Sequence, residues 1–190
     1  MEVFLWWKWT IILKALNTLF DEPLTKEQLL ELGKSLGADV PFCILGGCAL
    51  CEGLGEIMTP LPALKGMTLL ITRGGEGVST PKAYSFIDEL YRERVNERHG
   101  DFPAVVHALR SGNVGALFSR AYNIFEDVIL PTHSTAKAQK DILLECGADL
   151  AMMSGSGPAV FGFFKDTSSA NNAASAIRKF GARAFVCETV

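Results

Sequence analysis

The sequence predicts an α+β fold in two parts. Three observations carry that prediction. Short apolar runs of strand length alternate with longer segments of helical period. After residue 66 the order is strand, helices, two strands, helix, strand, which suits helices packed on one face of an antiparallel sheet. A Pro- and Gly-punctuated stretch, residues 60–66, separates this part from a shorter leading part and marks a candidate boundary. The chain has 190 residues, 48% of them apolar and 21% charged. That composition supports a packed core without disulfides or metal and argues against disorder, collagen or coiled coil.

The leading part opens on an atypical segment, residues 1–13, which holds all three tryptophans, Trp6, Trp7 and Trp9. It is too short to span a membrane and lacks a small-residue cleavage site. Residues 14–20 close a helix, and Asp21-Glu22-Pro23 breaks it. Thr25-Lys26-Glu27-Gln28 is a capping box, so a helix starts there, with Leu29, Leu32 and Leu36 on one face. Val40 precedes Pro41 and is pushed toward extended backbone. Residues 40–45 and 48–52 therefore read as two strands around Gly46-Gly47, a hairpin signal. Gly53-Leu54-Gly55 and Pro60-Leu61-Pro62 read as loops.

In the second part, residues 67–72 form a buried strand, followed by the glycine-rich loop Gly74-Gly75-Glu76-Gly77. Thr80-Pro81 opens a helix running toward Arg94, with proline in its first turn. Residues 103–110 and 114–122 are short helices broken at Ser111-Gly112-Asn113. Residues 131–146 form a longer helix. Residues 151–153 and 159–164 are strands flanking Ser154-Gly155-Ser156-Gly157-Pro158. Residues 168–180 form a helix with Ala173, Ile177 and Phe180 inward, and residues 182–190 a last strand.

Composition narrows the function. There are 18 basic and 21 acidic residues, a net charge of −3, so nothing points to nucleic acid or an anionic membrane. An anionic small molecule needs only a local site. The five cysteines, Cys43, Cys48, Cys51, Cys146 and Cys187, are a poor disulfide framework and fit a reducing cytoplasm. Cys48 and Cys51 have the spacing of half a zinc site that no second pair completes, so no metal site is expected. His99, His107 and His133 are scattered and read as surface residues. The sequence leaves the oligomeric state open.

Three constellations are candidates for chemistry. Asp39 sits at a junction flanked by apolar residues, where a carboxylate serves as a base or simply bonds its own turn. Ser154, Gly155, Ser156 and Gly157 lie between two apolar runs. Successive amides there form an anion-binding nest or an ordinary hairpin connection. Thr80 and Tyr84 stand one helical turn apart and either receive a planar base or serve as cap and core.

Taken together, "LGADVPFCILGGCALCEGLGEIMTPLP", "GVSTPKAY" and "MSGSGPAVFGFF" resemble, in order and spacing, the 4-diphosphocytidyl-2-C-methyl-D-erythritol kinases of the GHMP kinase superfamily. The resemblance runs from Lys14 to Val190. It implies the remnant of an N-terminal GHMP kinase domain (ribosomal S5 domain 2-like) over residues 1–62, and a C-terminal ferredoxin-like α+β sandwich over residues 63–190. It further implies transfer of the γ-phosphoryl of ATP, with Mg2+, to the 2-hydroxyl of CDP-methylerythritol in non-mevalonate isoprenoid synthesis. By resemblance Asp39 is the carboxylate that takes the hydroxyl proton. Thr80 and Tyr84 line the cytidine pocket, and Ser154, Gly155, Ser156 and Gly157 form the loop beside the phosphate site.

The sequence also departs from that family. Its catalytic lysine strand and glycine/serine-rich phosphate loop, expected upstream, have no match here. Roughly the first third of a family member is unmatched, and residues 1–13 stand where the phosphate-loop helix should begin. The expectation is a truncated or frame-shifted reading of a longer gene, inactive as this chain. Two alternatives stay open: another superfamily kinase, acting on homoserine, mevalonate or galactose, or a non-catalytic fragment or pseudo-enzyme.

Overall fold

The computed structural model describes residues 3–53, 55, 57–93 and 100–190. It divides into two compact units, Met1–Ala63 and Leu64–Val190.

The first unit begins with helix α1 (Val3–Leu19), which takes in most of the atypical segment. Asn17 holds the exit from α1: its amide donates to the Leu24 carbonyl at 3.1 Å and accepts from the Leu24 N–H at 3.0 Å. The bridged break contains Asp21 and Glu22, both at positive φ. Helix α2 (Lys26–Leu36) starts on the expected capping box, with the Thr25 hydroxyl accepting from Gln28 N–H and the Gln28 side chain accepting from Thr25 N–H. Its inward face differs from expectation. Leu29 and Gly33 are buried, whereas Leu32 is 42% exposed. Gly33 is the point of closest packing, because a Cβ there would lie 2.9 Å from the Ile44 side chain.

Residues 40–45 are a helix, α3 (Val40–Leu45), and not the expected strand. Pro41 stands in its first turn, where the missing N–H is no loss and the fixed φ already fits a helix. Val40 and Ile44 lie one turn apart and close a small core with Leu29. Gly46 and Gly47, at φ of 70° and 72°, end this helix and do not form a hairpin turn. The hairpin comes one element later, between β1 (Cys48–Glu52) and β2 (Ile57–Leu61), paired from Cys48↔Leu61 to Glu52↔Ile57. Pro60, read as loop, is therefore within a strand. It is tolerated because this ladder has only two strands, leaving an open edge.

The second unit is a four-stranded antiparallel sheet in the order β4-β5-β3-β6. The strands are β3 (Thr68–Arg73), β4 (Leu150–Met153), β5 (Val160–Phe164) and β6 (Arg183–Glu188). Helices α8 (Ser134–Glu145) and α9 (Thr167–Lys179) supply the covering residues of one face. Leu70, Val160, Phe164 and Ala184 of the sheet meet Leu143, Ala170, Ala173, Ala174 and Ile177 there. Alanines on α9 let that helix lie close to the strands. Asp166 caps it, accepting from Ser169 N–H at 2.8 Å. Phe180, expected inward, is the C-cap and is 44% exposed. One polar pair is sealed in this face: the Thr72 hydroxyl donates to Gln139 at 2.8 Å, and both residues are buried. Each satisfies the other, so their burial carries no unpaired group.

Between β3 and β4 run α4 (Thr80–Tyr91), α5 (Phe102–Arg110), α6 (Val114–Arg120) and α7 (Phe125–Ile129). Asp101 and Asn113 cap α5 and α6. From α6, Phe118 stacks on Phe163 of β5, with ring centroids 5.0 Å apart. Helix α7 was not anticipated, and α8 starts three residues later than expected. Helix α4 ends at Tyr91 with Arg92 as its C-cap, short of the expected Arg94, which lies outside the described residues. His107 is exposed. His133 is partly exposed, with its Nδ1 2.9 Å from the Thr132 hydroxyl in a solvent-facing pair. His99 also lies outside the described residues.

Candidate functional site

The expected site residues fall in both units.

In the first, Asp39 is the N-cap residue of α3. A cap aspartate normally accepts a hydrogen bond from the first turn. Asp39 makes no such bond, so the reading of it as a turn residue satisfied by its own backbone has no support. Asp39 is exposed, but partial desolvation of its carboxyl pushes it above its ordinary value. One turn on, Cys43 donates its N–H to the Asp39 carbonyl at 3.1 Å. Its thiol is pushed up first by burial and then by the charge of Asp39. The result is a carboxylate on a helix start, unspent on capping, with raised proton affinity. Such a group is suited to accept a proton from a bound hydroxyl.

In the second unit the structure brings together two sequence stretches that lie 76 residues apart. The Thr80 hydroxyl lies 2.9 Å from the Ser156 hydroxyl. Ser156 is only 9% exposed, so this bond fixes the centre of the 154–157 loop to the first turn of α4. Thr80 is not the cap of that helix; Ser79 holds the cap position. The loop closes on itself through Ser154 N–H to the Ala159 carbonyl at 2.9 Å and Gly157 N–H to the Ser154 carbonyl at 3.0 Å. Gly157 is required twice over. Its φ is 79°, and a Cβ there would lie 2.5 Å from the Met153 sulfur. Ser154 and Gly155 remain open to solvent.

Tyr84 is 56% exposed, so it is not a core residue. The Phe125 ring meets it edge to face, with centroids 5.0 Å apart at 79°. One ring is thus held by an aromatic neighbour and left available for a further planar group.

Three residues of this neighbourhood escape sequence reasoning. Asn123 donates to the carbonyls of Met153 and Gly155, both at 2.8 Å. Glu126 accepts from Met153 N–H at 2.7 Å and from Lys140 Nζ at 2.6 Å. Phe125 lies between them in sequence. The available signal was three polar residues set among apolar ones in Tyr122-Asn123-Ile124-Phe125-Glu126-Asp127-Val128.

Among the described residues no group of three or more His, Cys, Asp or Glu is placed to hold a metal ion. No helix among them is long and apolar enough to cross a membrane.

This sheet, with its glycine loop between β4 and β5, shares its fold with solved kinase structures. Residues 105–183 match the family described as GHMP kinases C terminal. The curated relatives this chain matches include 4-diphosphocytidyl-2-C-methyl-D-erythritol kinases. It is 39% identical to the one from Alkaliphilus metalliredigens over 162 residues, covering 85% of this chain and 54% of that protein. It is 38% identical to the one from Gloeobacter violaceus over 180 residues, covering 94% of this chain and 60% of that protein. A crystal structure of 4-(cytidine 5'-diphospho)-2C-methyl-D-erythritol kinase superposes with a TM-score of 0.75 at 29% identity, over 95% of this chain and 62% of that one. Homoserine kinase from Cytophaga hutchinsonii, at TM-score 0.69 and 19% identity over 92% of this chain and 61% of that one, shares the fold. The chain spans just over half to about three-fifths of the length of these curated relatives.

Proposed function

We propose that this chain serves the acceptor side of an ATP-dependent phosphoryl transfer to the 2-hydroxyl of CDP-methylerythritol. Asp39 takes the hydroxyl proton, the freed oxygen forms a bond to the γ-phosphorus, and the bond from that phosphorus to the β-γ bridging oxygen breaks to leave ADP. Tyr84 stacks on the cytosine ring, with Thr80 at its edge. Ser154, Gly155, Ser156 and Gly157 flank the phosphates. On this reading residues 1–62 are part of an N-terminal GHMP kinase domain and residues 63–190 the C-terminal one. Five free cysteines suit a reducing, cytoplasmic setting.

The observation that carries the reading is the Thr80–Ser156 bond. It ties the candidate base pocket to the candidate phosphate loop, and it leaves Tyr84 exposed beside them. Phosphoryl transfer demands mainly positioning and charge stabilisation. A loop fixed at its centre by a buried hydroxyl is a positioned element. Mg2+ would arrive with the ATP phosphates. The described residues offer no acidic cluster of their own for it.

The test is a chimera joining residues 14–190 to the N-terminal part of the Gloeobacter violaceus relative. It should phosphorylate CDP-methylerythritol and not homoserine or mevalonate. The 190-residue chain alone should be slower by about 10²-fold or more, the loss that follows removal of one preorganised electrostatic element. A chimera that folds and binds ATP but prefers homoserine or mevalonate would overturn the substrate.

A further inference from the structure

We propose that the segment 123–127 is a positioning brace that sets the 154–157 loop and the Tyr84 ring from one short element. The inference deepens the reading above and rests on it for the meaning of the loop and the ring.

The segment reaches both features through side chains. The Asn123 amide spends both N–H bonds of its –NH2 on carbonyls at the end of β4 and within the loop, Met153 and Gly155. Its oxygen accepts from Phe125 N–H at 3.0 Å, which fixes the amide's orientation without ambiguity. Glu126 grips the same strand end from its other backbone group, the Met153 N–H. That carboxylate is in turn held by Lys140 in an ion pair whose two side chains are only 23% and 14% exposed. Between these residues, Phe125 presents its ring to Tyr84. Asp127 completes the anchorage, accepting from the hydroxyls of Tyr91, at 2.6 Å, and Tyr122. Burial, then the bond to Asp127, pushes the Tyr122 hydroxyl above the ordinary tyrosine range, so it stays a donor.

The arrangement is more than local packing. Four of its five residues, Asn123, Phe125, Glu126 and Asp127, reach α4, α8, β4 and the loop. The Met153 backbone is bonded at its N–H and its carbonyl by two different side chains of the segment. A glycine loop with positive φ at Gly155 and Gly157 has little intrinsic preference for one conformation. Asn123 and Glu126 supply the preference. They are positioning residues acting through the loop.

Asn123→Asp is the sharp variant. It is the same size, but it replaces a donor with an acceptor facing two carbonyl oxygens. The measurement is backbone amide hydrogen exchange by NMR on the 190-residue chain. Exchange at the bonded amides of Ser154 and Gly157 should rise roughly tenfold or more, with amides of α9 and β6 unchanged, because only local opening is affected. Glu126→Leu should release the Met153 amide, and Glu126→Gln, which keeps an acceptor oxygen, should restore its protection. Unchanged loop exchange in Asn123→Asp overturns the brace. So does a rise spread evenly through α9 and β6, which marks general loss of packing. If Asn123→Asp does not fold, the Glu126 pair decides: equal Met153 exchange in Glu126→Leu and Glu126→Gln overturns the proposal. Titration of the unaltered chain with CDP tests the underlying reading separately. Absence of binding would sink Tyr84 as a base platform while the exchange data still judge the brace.

Discussion

The two units bury their apolar residues very differently. In Leu64–Val190 eleven buried residues form one continuous cluster between a sheet and two helices, with Leu70, Leu143 and Ile177 wholly sealed. Among the described residues of Met1–Ala63 the cluster is Leu29, Val40 and Ile44. Along α1 Ile11, Ile12, Leu16 and Leu19 stand exposed, as does Phe20 just beyond it. The difference separates two ways of holding a functional group. Thr80 and the 154–157 loop sit on a scaffold that is stable through its own core. Asp39 sits on a six-residue helix, too short to be stable by itself. It is held by the packing of Val40 and Ile44 against α2. Chemistry placed on the first unit should therefore be sensitive to small changes there, whereas the second should tolerate them.

The comparison is broken most severely at Asp39 itself. In the chimera described above, Asp39→Asn is expected to lower kcat by about 10²–10⁴-fold, the usual cost of losing a general base, with KM for the cytidyl substrate little altered. Turnover near that of the parent chimera would remove Asp39 from the mechanism and leave the first unit without a chemical role.

Next in size is stability. Leu143→Ala opens a cavity in the sealed face of the second unit and should cost about 2–5 kcal/mol in urea unfolding. Leu32→Ala, on the exposed side of α2, should stay within about 0.5 kcal/mol of the parent. A large loss at Leu32 would mean that α2 buries a face other than the one carrying Leu29.

That Leu32 contrast shows where sequence reasoning ran out. The capping box at Thr25, the strand containing Leu70 and the helix containing Ile177 were legible because caps and periodicity are local properties. The run Val40-Pro41-Phe42-Cys43-Ile44-Leu45 was read as a strand because six apolar residues fit either a strand or one and a half helical turns. Only α2, which Val40 and Ile44 meet one turn apart, decides it. The hairpin was displaced for the same reason, since Gly46-Gly47 ends a helix as readily as it turns a strand. At the site, the stretches with glycine and hydroxyl patterns stood out. Asn123 and Glu126 did not, because their partners Met153 and Gly155 lie about thirty residues away and no spacing rule joins them. Helix α7 was missed with them: five residues with no side-chain cap carry little periodic signal.

A smaller effect sharpens the contrast from the second unit. Tyr84→Ala should weaken CDP binding by about 1–3 kcal/mol, the range for a base stacked on an aromatic ring. Tyr84→Phe should be nearly neutral, since stacking uses the ring. Thermal unfolding of both variants should change little, because Tyr84 is exposed. Equal loss of binding in both would point to the hydroxyl as the contact.

The smallest expected effect returns to Asp39 and concerns stability with pH. Burial raises its carboxyl pKa in the folded chain above the ordinary value of 3.8. The folded state therefore holds this proton more tightly than the unfolded state does. The resulting stabilisation is fully present below the unfolded pKa and is lost as pH rises through the folded one. At neutral pH the folded chain carries an ionised, partly desolvated carboxylate with no capping bond in compensation. Asn at this position carries no charge to desolvate. Asp39→Asn should accordingly melt at a higher temperature than the parent at pH 7, and the gap should close as pH is lowered through the window above 3.8. The gain should be small, because water still reaches part of the side chain and screens the penalty. Removing the charge should also lower the Cys43 thiol pKa, since Asp39 is one of the groups holding it up. Faster Cys43 alkylation at a fixed mildly alkaline pH would report that independently of unfolding. A variant less stable than the parent at pH 7, or a gap that does not vary with pH, would show that the ionised carboxylate stabilises α3 instead. Asp39 would then be a structural cap. Stability lost together with activity would have that meaning, whereas stability gained while activity falls is the pattern of a group kept for its chemistry.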